Sequence, residues 1–182
     1  MSYTSRMKTL LQVAQLGSPV LRKKAKAIAD VKDPKVQQLI DDLITTVADV
    51  DGVGIAAPQV YQSLRIFIMA SKPNARYPHA PHMKPLALIN PKVLSWSKKQ
   101  EKDWEGCLSI PGVRALVPRD VSIKVEYTDR KGKLVQRTFK NFLARIFQHE
   151  LDHLDGIVFL DRLETPKDVI MEKEYLRLMR KK

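Results

Sequence analysis

The chain has 182 residues, of which 44% are apolar and 29% are charged, and its formal net charge is +12. These proportions are ordinary for a globular protein and exclude disorder and a coiled coil, and the length suits a single domain over residues 1–182. No apolar stretch approaches the roughly 20 residues that a membrane-spanning helix needs, so the sequence predicts no membrane contact.

The first predicted element is a helix that begins at Asp33-Pro34 and ends at Asp51-Gly52, with apolar residues three and four positions apart. Leu64–Ala70 is rich in β-favouring apolar residues, which predicts a buried strand. Ser71–Pro85 holds four prolines and few apolar residues, which predicts a surface loop.

Short strands are predicted in the middle of the chain. Leu86–Asn90 and Val93–Trp96 form two candidate strands, which we expect Pro91 to separate. Val121–Tyr127 and Lys133–Phe139 flank the turn-forming sequence Asp-Arg-Lys-Gly, which predicts a β-hairpin.

Two more helices are predicted near the end of the chain. Asn141–Leu154 has helical periodicity, with Asn141 as the expected N-cap and Gly156 as the stop. Lys167–Met179 is amphipathic, and its expected docking residues are Val169, Ile170, Leu176 and Met179. This order of elements predicts an α+β fold in which short antiparallel strands pack around one central helix, followed by a C-terminal helix.

The excess of positive charge is compatible with a polyanionic partner such as RNA, or with a solvated basic surface. The single cysteine, Cys107, excludes an internal disulfide and predicts a reducing compartment. We expect a bacterial-type cytoplasm. Because no acidic residue precedes Asp30, a trimmed precursor in an organellar stroma or matrix is the alternative.

The sharpest motif is H-E-x-x-H over His149–His153, inside the predicted central helix. Four residues are slightly more than one helical turn, so His149 and His153 project from the same face and can share one metal ion. Glu150 lies beside His149, close enough to act on water without being a ligand. The central helix is therefore a candidate metal-binding helix, although five residues alone also occur by chance.

Two further segments bear on this motif. Catalytic sites of this type usually have three protein ligands and one open position, and Cys107 in Glu105–Ser109 is the candidate third ligand. An inert core cysteine is the alternative. Gly52–Gln59 has a Gly-x-Gly pattern, but it lacks the third glycine and the preceding strand of a phosphate-binding loop.

Together, the segments Gly52–Gln59, Glu105–Ser109 and Gln148–His153 resemble the peptide deformylases closely. The family carries G-φ-G-φ-A-A-P-Q, E-G-C-L-S and Q-H-E-x-D-H in this order, and every fixed position matches here. The resemblance runs from about Leu16 to Leu163. It implies a metal-dependent hydrolase that removes the formyl group from the N-terminal formylmethionine of newly synthesised polypeptides and releases formate.

The resemblance also implies the metal site and the proton carrier. One divalent ion is held by Cys107, His149 and His153, with Fe2+ expected physiologically and Zn2+, Ni2+ or Co2+ as possible substitutes. Glu150 takes a proton from the attacking water and passes it to the leaving amine. Because outer partners orient metal ligands, Glu105 is a candidate for that task, as are Gln148 and Asp152.

The remaining implied roles concern the substrate. By this resemblance, the side-chain amide of Gln59 and the backbone N–H of Leu108 stabilise the oxyanion, which forms from the formyl carbonyl oxygen when hydroxide attacks. The residues implied at the substrate are Gly54 and Arg114 along its main chain, and Val53, Phe142 and Ile146 around its methionine side chain. For Phe142 and Ile146, ordinary core packing is the alternative.

Other functions use the same features differently. A zinc-dependent peptidase would use His149, Glu150 and His153 without needing Cys107 or Gln59. A basic RNA- or ribosome-binding module would use the positive surface and the basic C-terminal segment, and it can coexist with deformylation of nascent N-formylmethionyl peptides at the ribosome. A family member that has lost activity is a third alternative, although every position that the chemistry needs is present.

Overall fold

The computed structural model describes residues 9–180, and the predicted α+β fold is confirmed. The helices are α1 (Pro34–Asp49), α2 (Asn141–Leu154) and α3 (Glu172–Met179). The strands are β1 (Gly54–Ala56), β2 (Ile66–Met69), β3 (Leu86–Trp96), β4 (Gln100–Cys107), β5 (Ile110–Asp120), β6 (Ser122–Thr128), β7 (Leu134–Lys140) and β8 (Val169–Met171). No helix in the described range is both long and apolar enough to cross a membrane.

The strands form two antiparallel sheets. One has the order β1-β2-β3-β6-β7 and the other has the order β4-β5-β8. Helix α2 packs against β1, β2, β6 and β7 of the first sheet and against β5 of the second. The central helix therefore joins the two sheets. Strand β1 is one of the two edge strands of the first sheet, and β4 is one of the two edge strands of the second.

Strand β2 shows how the core forms on both sides of the larger sheet. Phe67 and Met69 lie in the apolar cluster that contains the buried face of α2, whereas Ile66 and Ile68 lie in the cluster around α1. Alternate residues of a strand point to opposite faces, so a strand covered by a helix on each face is apolar throughout. This arrangement fixes the position of α2, whose Phe147 ring makes an edge contact with Phe67 at 5.2 Å between centroids.

The elements with strong local patterns lie where the sequence predicts them. Helix α1 has Pro34 in its first turn, and the N-cap Asp33 accepts a hydrogen bond from the Lys35 backbone at 2.7 Å. Strand β2 lies within the predicted range, and β6 and β7 pair as a hairpin across a turn in which Gly132 N–H donates to Asp129 O.

Pro91 does not separate two strands, so that prediction is wrong. Strand β3 continues through Pro91, and its pairing with β6 shifts register between Ile89 and Lys92. A proline is tolerated inside a strand at such an irregularity because no ladder hydrogen bond is required from it.

The predicted N-cap of the central helix is also wrong. Asn141 is the first residue of α2, and Lys140 occupies the cap position without a side-chain hydrogen bond. Asn141 has a φ of 51°, a left-handed conformation that asparagine adopts more readily than most residues. Its N–H donates to Val121 O at 2.7 Å, which fixes the turn from β7 into α2.

The C-terminal helix is shorter than predicted. Val169–Met171 forms β8 and pairs with β5, and only Glu172–Met179 is helical. Val169 and Met179 are 39% and 36% exposed, so they are not the docking residues that the sequence suggested. Tyr175 is buried instead, with its ring 5.5 Å from that of Trp104.

Candidate active site

The end of β4 and one face of α2 meet at a cluster of metal-binding side chains. Among the described residues, the ligand atoms of Cys107, His149 and His153 lie within 4.8 Å of one another, and Cys107 Sγ is 3.3 Å from His153 Nε2. One sulfur and two imidazole nitrogens form a donor set that suits zinc, iron and related divalent ions. The three residues predicted as ligands are thus close enough to hold one ion.

Local geometry explains why Cys107 reaches the helix. The β4–β5 pairing is irregular between Gly106 and Cys107, and only Leu108 and Ser109 connect the two strands. The tight connection turns the Cys107 side chain away from the regular ladder, and Ser109 N–H lies 3.4 Å from its sulfur. The two histidines are separated by one turn of α2, with ring centroids 5.1 Å apart.

Gln59 approaches this cluster from a short turn that follows β1. The side chain is 2% exposed, and its Oε1 accepts a hydrogen bond from Ala56 N–H at 2.9 Å. Its Nε2 donates to Ser109 Oγ at 3.1 Å and lies 3.4 Å from Cys107 Sγ. Because the oxygen is engaged by the backbone, the amide is oriented with its donor group towards the candidate metal site.

Glu150 is buried beside the same cluster. Its Oε2 has no hydrogen-bond partner within the described range, and burial raises the pKa of Glu150 to about 7. A carboxyl group with a pKa near neutrality can both accept and donate a proton at physiological pH.

These side chains open onto one cavity of about 180 Å³. Every residue predicted from the sequence as a metal ligand, a catalytic group or a substrate contact lines this cavity, apart from His153. The wall also contains residues that no local motif indicated, among them Arg76, Tyr77, Trp104 and Glu172. Ile146 belongs to the core cluster as well as to the wall, and Phe142 packs against that cluster.

Residues 10–169 match the family model of the polypeptide deformylases. Peptide deformylase 2 of a Nostoc species is 58% identical over 172 residues, which cover 94% of this chain and 96% of the relative. The chain belongs to the peptide deformylase family. Deformylases are metal-dependent, and the Cys-His-His cluster is the group of residues here that suits such an ion.

Solved structures agree with this assignment. The Met-Ala-Ser-bound class I type b deformylase of Acinetobacter baumannii has a TM-score of 0.84 and 42% identity, covering 86% of this chain and 100% of that chain. The actinonin-bound deformylase of Synechococcus elongatus has a TM-score of 0.78 and 35% identity, covering 90% of this chain and 86% of that one.

Glu105 connects the candidate metal site to buried charges. Its carboxylate accepts hydrogen bonds from Arg119 Nε at 2.9 Å, from Arg119 Nη2 at 3.0 Å and from Arg145 Nη1 at 2.9 Å, and it lies 2.8 Å from His149 Nδ1. An ionised carboxylate at this position holds the proton of His149 on Nδ1 and leaves the Nε2 lone pair available for a metal ion. Of the three suggested outer partners, Glu105 alone contacts one of the two histidines.

The other two act at a greater distance. Asp152 accepts hydrogen bonds from Arg119 Nη1 at 2.6 Å and from Arg162 Nη2 at 2.6 Å. Gln148 bonds to the backbone N–H and carbonyl of Asp120. Gln148 and Asp152 therefore anchor α2 to the second sheet, and Asp152 also anchors it to the segment that follows α2. Glu105, in contrast, orients the ring of His149.

The charges of this network determine how its members ionise. Burial raises the pKa of Glu105, but the Arg119 guanidinium and the hydrogen bonds from His149 and Arg119 outweigh burial and hold that pKa far below its usual range. Burial lowers the pKa of His153, and the positive charge of Arg119 lowers it further. The Glu105 side chain is therefore anionic at neutral pH, and His153 is a neutral imidazole, the form that binds metal ions.

We expect Glu105→Gln to lower the free energy of unfolding by about 3–5 kcal/mol, because loss of the anion leaves the buried charges of Arg119 and Arg145 uncompensated. Urea denaturation measures this change. Glu164→Gln is the matched control, since Glu164 pairs with Lys102 at the surface and its side chain is 63% exposed. The control should change by less than about 1 kcal/mol, and similar losses in both variants would contradict the role of burial.

Gly54 has a second testable property. A Cβ at this position would lie 2.9 Å from Glu150 Cδ and closer still to Oε1, so any side chain displaces the Glu150 carboxylate. If Glu150 is the proton carrier that the sequence predicts, we expect Gly54→Ala to reduce kcat about 10²-fold while the protein remains folded, because small displacements of a reacting group are costly.

The control for Gly54→Ala is Ile55→Val, the next residue of β1, which faces the α1 cluster. It should cost about 0.5–1.5 kcal/mol of stability and leave kcat unchanged. An unaltered kcat in Gly54→Ala would show that the Glu150 position is not critical.

Proposed function

We propose that this protein is an active peptide deformylase, which hydrolyses the formyl group of N-terminal formylmethionine on newly synthesised polypeptides and releases formate. One observation carries the proposal. In a member of this family, the candidate metal-binding cluster meets a single cavity through Cys107 and His149. The oriented amide of Gln59 and the buried carboxyl of Glu150 line the same cavity.

In this proposal Cys107, His149 and His153 hold one divalent ion. When bound, the ion supplies the Lewis acidity that polarises a carbonyl and makes water nucleophilic near neutral pH. We propose Fe2+ as the physiological ion. Its support is the thiolate-and-imidazole donor set, which accepts Fe2+ and also admits Zn2+, Ni2+ or Co2+ as substitutes.

The cavity lies between two edge strands, which suggests how the peptide binds. Gly54 is on β1 and Gly106 is on β4, and both line the cavity. An extended peptide can add to such an edge through main-chain hydrogen bonds. The A. baumannii relative has Met-Ala-Ser bound, a peptide of the kind that deformylation produces. We infer that the methionine side chain lies against Val53, Phe142 and Ile146.

The polar groups of the site have two separate roles in the proposed reaction, oxyanion stabilisation and proton transfer. The Nε2 group of Gln59 and the backbone N–H of Leu108 donate hydrogen bonds to the oxyanion that develops from the formyl oxygen. The Glu150 carboxylate accepts a proton from the attacking water and donates it to the departing amine, and its pKa of about 7 suits both tasks.

The test is formate release from formyl-Met-Ala-Ser by protein loaded with Fe2+ without oxygen, with acetyl-Met-Ala-Ser as the paired substrate. We expect formate and no acetate, and we expect Glu150→Gln to lower kcat by about 10²–10⁴-fold because proton transfer is lost. Glu164→Gln, at the surface, is the control and should retain full activity. Cleavage of internal peptide bonds, with no formate, would support a zinc-dependent peptidase instead.

Ribosome contact through the basic surface and a cytoplasmic location remain predictions. The ribosome contact is supported by Arg177 and Arg180, which are exposed at the end of α3, while Lys181 and Lys182 lie outside the described residues. The cytoplasmic location is supported by the bacterial sources of the relatives named above and by the need to keep a ligand thiolate reduced.

Co-sedimentation with ribosomes at two salt concentrations tests the contact. We expect the double variant Arg177→Gln and Arg180→Gln to bind more weakly and with a smaller salt dependence, because fewer phosphates are neutralised. Lys131→Gln with Lys133→Gln, at the distant hairpin turn, is the control. Equal binding by both double variants would contradict a contact through α3.

A further inference from the structure

The loop Ser71–Pro85 and helix α3 meet at one side of the cavity, around Arg114. The Arg114 Cζ atom lies 5.0 Å from the ring centroid of Tyr77, which is in the loop, and 4.7 Å from that of Tyr175 in α3. Glu172, at the start of α3, accepts hydrogen bonds from Arg114 Nε at 3.2 Å and Nη2 at 3.1 Å. Two aromatic rings and one carboxylate therefore fix the guanidinium group.

Arg114 is the largest side chain among the fully buried ones in the described range, at 2% exposure, and it lines the cavity. Its Nη1 has no hydrogen-bond partner within residues 9–180. A buried charged donor without a partner is unfavourable, so a ligand acceptor at this position would be bound strongly. The fixed geometry thus leaves one donor of the guanidinium available to the contents of the cavity.

The surroundings of Arg114 indicate which acceptor this is. Gly106 pairs with Arg114 across β4 and β5 and immediately precedes Cys107. A Cβ at Gly106 would lie 3.3 Å from Arg114 Cζ, so the guanidinium lies directly against the edge of β4. A peptide extended along that edge from a formyl group near Cys107 brings the main-chain carbonyls beyond its first residue past this position.

The loop is built to hold Tyr77 in place. Asn74 Oδ1 accepts hydrogen bonds from the backbone N–H groups of Arg76 and Tyr77, at 2.9 and 2.8 Å. Arg76 Nη2 donates to Val50 O at 2.9 Å, which ties the loop to the end of α1. The Tyr77 ring also lies 5.0 Å from that of Phe142, so it joins the candidate methionine pocket to Arg114.

We propose that Tyr77 and Glu172 are positioning residues, which hold Arg114 so that its Nη1 binds a main-chain carbonyl beyond the formylmethionine. The inference rests on the proposed function and adds a dependence on peptide length. Binding through Arg114 strengthens the enzyme's hold on a peptide and leaves the reaction at the formyl group unchanged. The loop, to which the sequence assigned no function, thereby becomes part of the peptide-binding wall.

The experiment compares formyl-Met-Ala-Ser with formyl-methioninamide, which has no main chain beyond the methionine. We expect Glu172→Gln and Tyr77→Ala to raise KM for the tripeptide about tenfold with little change in kcat, because one hydrogen bond to a charged group is weakened. The kinetics of formyl-methioninamide should not change in Glu172→Gln, because Glu172 acts through its hydrogen bonds to Arg114. A role limited to folding would alter kcat or affect both substrates alike.

One variant serves as the control for Glu172→Gln. Glu174→Gln lies on the same helix but pairs with the exposed Arg177, so it should bind both substrates normally. Thermal unfolding of each variant verifies that α3 remains docked.

Calorimetric binding of the product Met-Ala-Ser provides a readout that does not require turnover. We expect about tenfold weaker binding to Glu172→Gln than to the wild type, and unchanged binding to Glu174→Gln. Equal loss for both substrates in Glu172→Gln, or unchanged tripeptide KM and product affinity in that variant, would overturn the proposal. Absence of formate release from the wild type would instead contradict the proposed function, while the binding comparison would still test the role of Glu172.

Discussion

The carboxylate of Glu105 is the interaction on which the rest of the site depends. It is buried among two arginines and one histidine, and it belongs to β4, only two residues before Cys107. Through Arg119 it is joined to β5, and through Arg145 and His149 it is joined to α2. Any movement of α2 relative to the second sheet would therefore separate opposite charges in a poorly solvated region, which is unfavourable.

This arrangement couples the orientation of a candidate metal ligand, His149, to the packing of the fold. Buried ion pairs often add little net stability compared with apolar side chains, because removing charges from water is costly. Their value here is geometric. The hydrogen bonds to Glu105 and Asp152 define one rotation of α2 about its axis, and that rotation decides which residues of the helix face Cys107.

The sequence predicted the parts of the molecule that depend on neighbouring residues. Helix α1 and strand β2 carry periodicities that mark their buried faces, and the H-E-x-x-H spacing brings two imidazoles together on any helix. Strands β4 and β5 were missed because the start of β4 is charged and exposed and has no alternating pattern. Val169–Met171 was assigned to a helix because its pairing with β5 involves residues more than 50 positions away.

The same distinction applies to the site. Cys107 was identifiable because it is the only cysteine of the chain and lies in the second of three motifs that occur in the family's order. Glu105 was identifiable because it begins that same motif. Arg119 and Arg145 meet Glu105 from other elements, and Tyr77 lies in a proline-rich segment without periodicity. Such partners are selected by the three-dimensional path of the chain, so a single sequence contains no local signal for them.

The two open sheet edges at the cavity have a consequence for the range of chains that this enzyme can process. An unpaired sheet edge binds an extended peptide through hydrogen bonds to the main chain of that peptide, and the main chain is the same in every polypeptide. A nascent chain held between β1 and β4 would be recognised at its first side chain and thereafter mainly through amide groups common to all proteins. One cleft of this kind can serve a whole proteome.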